Sequence, residues 1–234
     1  MKFGGPIEIK TGMYQLRAIA ARVTVLNDGG TTVVVDSGAR GSLGAIAGGL
    51  GALGVTLEQV GLIVLTHYHP DHSGGLDRLA RATSARVAAH REDAGIISGV
   101  EPAPSPYGNR LLGGLARPVV ASMYGAAVKV DHLLEDGDPL PFRDDVTVVH
   151  TPGHTAGSIC LHLASQGVVI VGDALQYRLR RLGPPARSVT RDPGQAMRSL
   201  TKLLDLEFDT ICFSHFPPLR GKAKAALERL LEEK

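Results

Sequence analysis

Four side chains able to bind a metal ion or move a proton, His67, His69, Asp71 and His72, fall within six consecutive positions, in the segment Leu65-Thr66-His67-Tyr68-His69-Pro70-Asp71-His72-Ser73-Gly74-Gly75. A regular helix cannot aim all four at one point, because successive residues diverge by about 100°. An extended segment followed by a bend can: His67 and His69, two apart, project to one side of an extended chain, and Asp71 and His72 follow where it turns. Imidazole and carboxylate are the ligands that zinc takes when thiolate is absent. A single turn histidine is usually a solvated residue, but this density of ligands points to a metal site.

Three further segments each place a polar residue at or just beyond the end of an apolar run. They are Val148-Val149-His150-Thr151-Pro152-Gly153-His154, Val169-Ile170-Val171-Gly172-Asp173 and Ile211-Cys212-Phe213-Ser214-His215. Strand ends along one rim of a sheet are where α/β proteins build their sites. His154, Asp173 and His215 therefore join the ligand candidates. His90, His132 and His162 read as surface or strand-face residues, and His150 as a satisfied strand-end histidine.

The elements that must position these residues follow from the apolar pattern. Strands are expected at Pro6–Lys10, Gln15–Leu26, Thr31–Asp36, Gly61–Thr66, Arg86–Ala89, Val128–Asp131, Val146–His150, Ser158–Leu163, Val168–Val171 and Thr210–Ser214. A turn is expected at Asn27-Asp28-Gly29-Gly30. Helices are expected at Ser42–Leu53 (despite its glycines), Gly74–Ala82, Arg91–Ile97, Asp192 to about Leu204, and Lys222–Glu233. Thr56 with Gln59 reads as a capping box. Asp192 reads as an N-cap ahead of Pro193 at the first helical position. Residues 99–118 are rich in Pro and Gly and lack periodicity, so they read as a long loop, of the kind that often carries function. The order of elements suits one layered α/β domain over residues 1–234, with two sheets packed together and helices outside.

Composition narrows the function classes. The chain is 44% hydrophobic and 21% charged, with a formal net charge of +2. That gives no basic excess of the kind a nucleic-acid binder carries. Neither a signal-peptide run nor an apolar stretch of about 18 residues is present. The expectation is a cytoplasmic protein that binds neither membrane nor nucleic acid. Cys160 and Cys212 are the only cysteines. Both fall in apolar stretches and read as reduced, buried thiols, and a zinc site built on cysteine is excluded by their number.

The pattern His67-x-His69-x-Asp71-His72, then Thr151-Pro152-Gly153-His154-Thr155, Gly172-Asp173 and Ser214-His215, resembles the metallo-β-lactamase-fold hydrolase superfamily, in its glyoxalase II and lactonase-like branch. The resemblance runs from Val33-Val34-Val35-Asp36-Ser37-Gly38 to Leu219. It implies a four-layer αββα sandwich of two mixed β-sheets flanked by helices. It implies two zinc ions, with iron or manganese as substitutes. His67, His69 and His154 would hold the first, Asp71, His72 and His215 the second, and Asp173 would bridge them. It also implies that Asp36 supports the histidine loop from behind.

The chemistry implied is attack on a carbonyl by a hydroxide shared between the metals, with Asp71 moving a proton. Tyr177, four residues beyond Asp173, is a candidate donor to the substrate oxygen, although lactone-cleaving relatives place their tyrosine one position earlier, where this chain has Gln176. The substrate expected is a small ester-like molecule, a thioester or a lactone, with a β-lactam the weaker candidate. The alternatives are a mononuclear iron persulfide dioxygenase and a metal-dependent nuclease. Arg178, Arg180, Arg181, Arg187 and Arg191 read either as a solvated face or as a site for an anionic substrate. Phe216 stands where many relatives have glycine, and a ring there is expected to narrow the pocket. Residues 99–125 are expected to cover the site or to form a homodimer contact.

Overall fold

The computed structural model describes residues 4–27, 30–104 and 122–233. A seven-stranded sheet comes from the N-terminal half, in the spatial order β1 (Ile7–Lys10), β2 (Met13–Arg17), β3 (Arg22–Leu26), β4 (Thr32–Val35), β5 (Val60–Leu65), β6 (Arg86–His90), β7 (His132–Leu134). Its first four strands pair antiparallel and its last four parallel. A six-stranded sheet comes from the C-terminal half. It contains β8 (Pro139–Leu140), β9 (Arg143–His150), β10 (Ile159–Leu163), β11 (Val168–Ile170), β14 (Thr210–Cys212) and β15 (Leu219–Arg220), in the order β15-β14-β11-β10-β9-β8. A separate hairpin pairs β12 (Gln176–Arg178) with β13 (Arg181–Gly183).

Alternation along the strands explains the layering. Val33 and Val35 of β4, with Leu62 and Val64 of β5, face inward against Val146, Val148, Ile159, Leu161 and Ile170 of the second sheet. Val34, Ile63 and Leu65 face the other way, onto α1 (Leu43–Ala52), α3 (Leu76–Thr83) and α4 (Arg91–Ile97). Outside the second sheet, Cys160, Val169, Ile211 and Phe213 pack on α5 (Pro193–Ser199), the following 3-10 segment Leu200–Asp205 and α6 (Ala223–Glu232). The result is the expected αββα sandwich. Strands such as β5, buried on both faces, are continuous apolar runs because neither face meets water.

Several boundaries differ from the sequence pattern. The run Gln15–Leu26 is two strands, because Ala20 takes φ +65° and reverses the chain. The strand expected at Val128–Asp131 pairs only from His132 onward, since Val128 and Val130 pack into the helix-side cluster instead. The helix expected from Gly74 begins at Leu76, behind the one-turn helix α2 (Pro70–Ser73). The helix opened by Asp192 tightens to 3-10 geometry after Ser199. One glycine of helix α1 has a packing reason: a Cβ on Gly49 would come within 2.7 Å of Leu16 on β2. Gln59 Oε1 accepts from Thr56 N at 2.7 Å, and Asp192 caps α5 by accepting from Gln195 N at 2.8 Å, as expected. The turn expected at 27–30 and the loop at 99–125 fall partly outside the described residues. Among the described residues no helix is long and apolar enough to cross a membrane.

Candidate metal centre

Every expected ligand lies in a segment that follows the end of a strand, and the two sheets bring those ends together. Strand β5 ends at Leu65, so Thr66 and His67 emerge at its tip, and Pro70 then opens α2 with Asp71 and His72 in its first turn. His154 sits in the turn between β9 and β10, Asp173 follows β11, and His215 follows β14. Two glycines make the approach possible. Gly153, at φ +134°, lies so close to α5 that a Cβ would overlap the Ala196 backbone nitrogen. Gly172, at φ +51°, would meet Thr66 at 2.8 Å. Ile159 N donates to Thr66 O at 3.0 Å, joining the second sheet to the tip of β5.

The structure gathers all seven candidates. Three overlapping sets each present ligand atoms within 4.8 Å of one another: His67, His69 and His154; His67, His72 and Asp173; Asp71, His72 and His215. His69 Nδ1 lies 2.9 Å from His154 Nε2, and His72 Nε2 lies 3.3 Å from His215 Nε2. Asp173 faces both groups. Its Oδ2 is 3.6 Å from His154 Nε2, and its Oδ1 is 3.6 Å from His72 Nε2 and 3.2 Å from His215 Nε2.

Hydrogen bonds behind the rings fix which nitrogen faces inward. Asp36, buried at φ +67°, accepts from Thr66 N at 2.8 Å, from Thr66 Oγ1 at 3.0 Å and from His72 Nδ1 at 2.8 Å. Thr66 Oγ1, having given its proton to Asp36, accepts from His67 Nδ1 at 3.1 Å. Thr190 Oγ1 donates to Ala186 O and accepts from His154 Nδ1 at 3.1 Å, while His215 Nδ1 donates to Ala20 O at 3.0 Å. In His67, His72, His154 and His215 the Nε2 atom is thus left for the site. His67 Nε2 is buried and has no hydrogen-bond partner within the protein. A buried, partnerless ring nitrogen is costly, and a metal ion would satisfy it. Imidazoles with Nε2 turned inward, flanked by carboxylates, fit divalent metal.

The two groups differ electrically. Burial, reinforced by the neighbouring histidines, holds His67 well below the usual imidazole range and lowers His69 to about 3 and His154 to about 4. Burial also opposes the charged forms of His72 and His215. There the carboxylates prevail: Asp36 and Asp173 hold His72 well above its usual value, and Asp173 and Asp71 lift His215 to about 9. Despite burial, Asp173 stays well below the carboxylate range because of His72 and His215.

One participant escaped the sequence reading. Asp93, buried in the first turn of α4, accepts from Tyr68 N at 3.0 Å, from Thr155 Oγ1 at 2.7 Å and from Gly157 N at 2.7 Å. An acid in the first turn of a helix reads as ordinary dipole compensation, and its partners here are mostly backbone groups with no signature of their own.

Other candidates lie further out. Tyr177 on β12 stacks on Phe213, rings 5.8 Å apart and 12° from parallel, and Phe216 meets Phe213 edge-on at 6.3 Å. Both therefore pack with the apolar cluster outside the second sheet. Arg178, Arg180, Arg181, Arg187 and Arg191 are exposed. Arg191 is anchored through its backbone, N to His154 O at 3.2 Å. Residues 105–121 of the expected covering loop lie outside the described residues. Just after them, the Ser122 carbonyl accepts from Arg40 Nη1 at 2.8 Å, and Met123 O lies 2.9 Å from where a Gly74 Cβ would be. The chain therefore returns onto the back of the histidine loop. Cys160 and Cys212 are free and buried, with thiols pushed up to about 12 by burial.

Residues 17–215 match the sequence profile of the metallo-beta-lactamase superfamily. The chain belongs to that superfamily. It is an enzyme of the metal-dependent hydrolase class. Among similar proteins, the probable metallo-hydrolase YflN of Bacillus subtilis is 28% identical, over 95% of this chain and 90% of that protein. A hydroxyacylglutathione hydrolase of Cereibacter sphaeroides is 31% identical, over 80% of this chain but 58% of that protein. The acyl-coenzyme A thioesterase MBLAC2 of Bos taurus is 36% identical, over 49% of this chain and 41% of that protein. The crystal structure of a metallo-beta-lactamase family protein from Thermus thermophilus superposes with a TM-score of 0.75 at 27% identity, covering 97% of this chain and 80% of that one.

Proposed function

We propose that this chain hydrolyses a small thioester, or a lactone as the second choice, using two zinc ions. His67, His69 and His154 would hold one ion, Asp71, His72 and His215 the other, and Asp173 lies within reach of both. The observation that carries this reading is Asp173: its two oxygens face different histidine groups, as a carboxylate shared by two ions must. Bound zinc would supply a water of lowered pKa and polarise the substrate carbonyl.

The chain's own residues set up the rest. Asp71, about a third exposed and 3.3 Å from His215 Nε2 through Oδ2, stands at the open side of the group. His215 and His72 overcome its burial and hold its carboxyl below the usual range, so it is ionised and able to take a proton. Tyr177 is proposed to donate to the substrate oxygen, which requires its ring to be reached from the site side of Phe213. The exposed arginines beyond Asp173 suit an anionic carrier. Acylglutathione and acyl-coenzyme A, named for two of the relatives, are both thioesters of anionic thiols. The chain spans about half the length of those relatives, so the thioester class is proposed and the particular thiol is not.

The test is turnover by the zinc-loaded protein across acyl-glutathione, acyl-coenzyme A, homoserine-lactone and β-lactam substrates. Thioesters should be cleaved fastest, and Tyr177→Phe should lower kcat with metal content intact. Two bound zinc ions without hydrolysis of any thioester or lactone would overturn the reading.

A further inference from the structure

The ligands of the first group stand on two separate loops, one from each half of the sandwich. His67 and His69 flank Tyr68 at the tip of β5, and His154 precedes Thr155 in the turn before β10. Something must fix the distance between these loops, because His69 Nδ1 and His154 Nε2 already lie 2.9 Å apart. Besides the backbone bond from Ile159 N to Thr66 O, the tie between them is a single carboxylate oxygen. Asp93 Oδ2 accepts from Tyr68 N at 3.0 Å and from Thr155 Oγ1 at 2.7 Å, while Oδ1 accepts from Gly157 N at 2.7 Å.

Each of these contacts is within three residues of a ligand of the first group, and Asp93 is 1% exposed, so water does not compete for them. The loop is shaped to receive the acid. A Cβ on Gly157 would come within 2.7 Å of Asp93 Cγ, so only glycine permits this approach. The peptide between Ala156 and Gly157 is gripped at both ends: its N–H donates to Asp93, and its carbonyl accepts from His150 Nε2 at 2.8 Å. His150 in turn stacks on His90, rings 3.8 Å apart, and His90 immediately precedes α4, the helix that carries Asp93. Thr155 is held as well, since Ser158 Oγ lies 2.9 Å from both its hydroxyl and its backbone nitrogen.

We infer that Asp93 is the positioning residue of the first metal subsite, clamping the His67–His69 loop to the His154 turn and setting that subsite's metal affinity without touching the metal. The inference rests on the two-ion reading above. Asp36 has a comparable place behind His72, which it holds directly, and it reaches His67 only through the Thr66 hydroxyl. Removal of an outer hydrogen-bonding partner of this kind weakens metal binding by about 10–100-fold.

The test is cobalt titration of metal-free protein, read from the visible absorption of the bound ion. It is done in two backgrounds: His215→Ala, which leaves the first subsite, and His69→Ala, which leaves the second. Adding Asp93→Asn should weaken binding about 10–100-fold in the first background and leave it within about twofold in the second. Thr155→Val, which removes one contact and keeps the volume, should show a smaller loss with the same selectivity, and Thr155→Ser should restore it. These two variants decide the matter if Asp93→Asn does not fold. Equal weakening of both subsites, or of neither, would overturn the clamp while leaving the two-ion reading in place. Failure of the unsubstituted protein to bind two cobalt ions would overturn both.

Discussion

The two histidine groups of the candidate metal centre are built from similar parts to opposite electrical effect. The first group is two buried imidazoles and one half-buried, whose proton affinities are driven down by desolvation and by neighbouring histidines. The second is two imidazoles beside Asp36, Asp71 and Asp173, whose proton affinities are driven up. In the metal-free protein the first group waits as neutral ligands and the second holds protons in place of a cation. The lesson is that a ligand set is defined by its surroundings as much as by its residue types.

The comparison can be broken outright by removing what the two groups share. Asp173→Ala should abolish binding of a metal pair, lowering turnover by more than the roughly 100-fold that loss of a merely supporting residue costs. Measured metal content should fall below two per chain. A variant that kept two ions and most of its activity would deny Asp173 its bridging place.

Asp36→Asn sharpens the comparison from the second side. Asparagine tolerates φ +67°, so the backbone is preserved, but the amide can no longer receive both Thr66 and His72 as an ionised carboxylate does. Affinity at the second subsite, whose His72 is bonded directly to Asp36, should fall about 10–100-fold, and the first, which Asp36 reaches only through Thr66 and His67, should fall less, again read by cobalt titration.

Acid should separate the subsites without any mutation. His215, raised to about 9, and His72, raised with it, must lose protons before they bind metal. Affinity at the second subsite should therefore fall continuously as pH drops from about 9, by about tenfold per pH unit for each proton displaced. His69 and His154, at about 3 and about 4, are already unprotonated at neutral pH, so the first subsite should hold its metal down to about pH 5. Equilibrium dialysis across that range tests this; parallel loss of both ions would contradict it.

The smallest effect expected is from Thr190→Val, which removes the acceptor for His154 Nδ1 and leaves the clamp at Asp93 intact. A loss near tenfold at the first subsite, the low end for an outer partner, is expected from the same titration.

The candidate ligands were legible in the sequence because they cluster at or just beyond the ends of apolar runs, and Asp36 was legible only through the family resemblance, since by itself it reads as a turn aspartate. Asp93 was not, because its partners lie 25 to 64 positions away and two of the three are backbone N–H groups. The β12–β13 hairpin was missed for a local reason. Its turn residues Leu179 and Arg180 both take positive φ, at 49° and 62°, without the Asn-Gly or Asp-Gly pair that such turns favour. Strand β7 was displaced by the valines at 128 and 130, whose apolar character serves packing on helices rather than pairing with β6.

The central claim is that one chain holds two metal ions in unlike surroundings. The most direct test is metal content per chain, measured by plasma mass spectrometry on protein purified without chelator. Two zinc ions per chain, one of them released on mild acidification while the other remains, is the predicted result. A single iron per chain would contradict the account and turn attention to persulfide oxygenation.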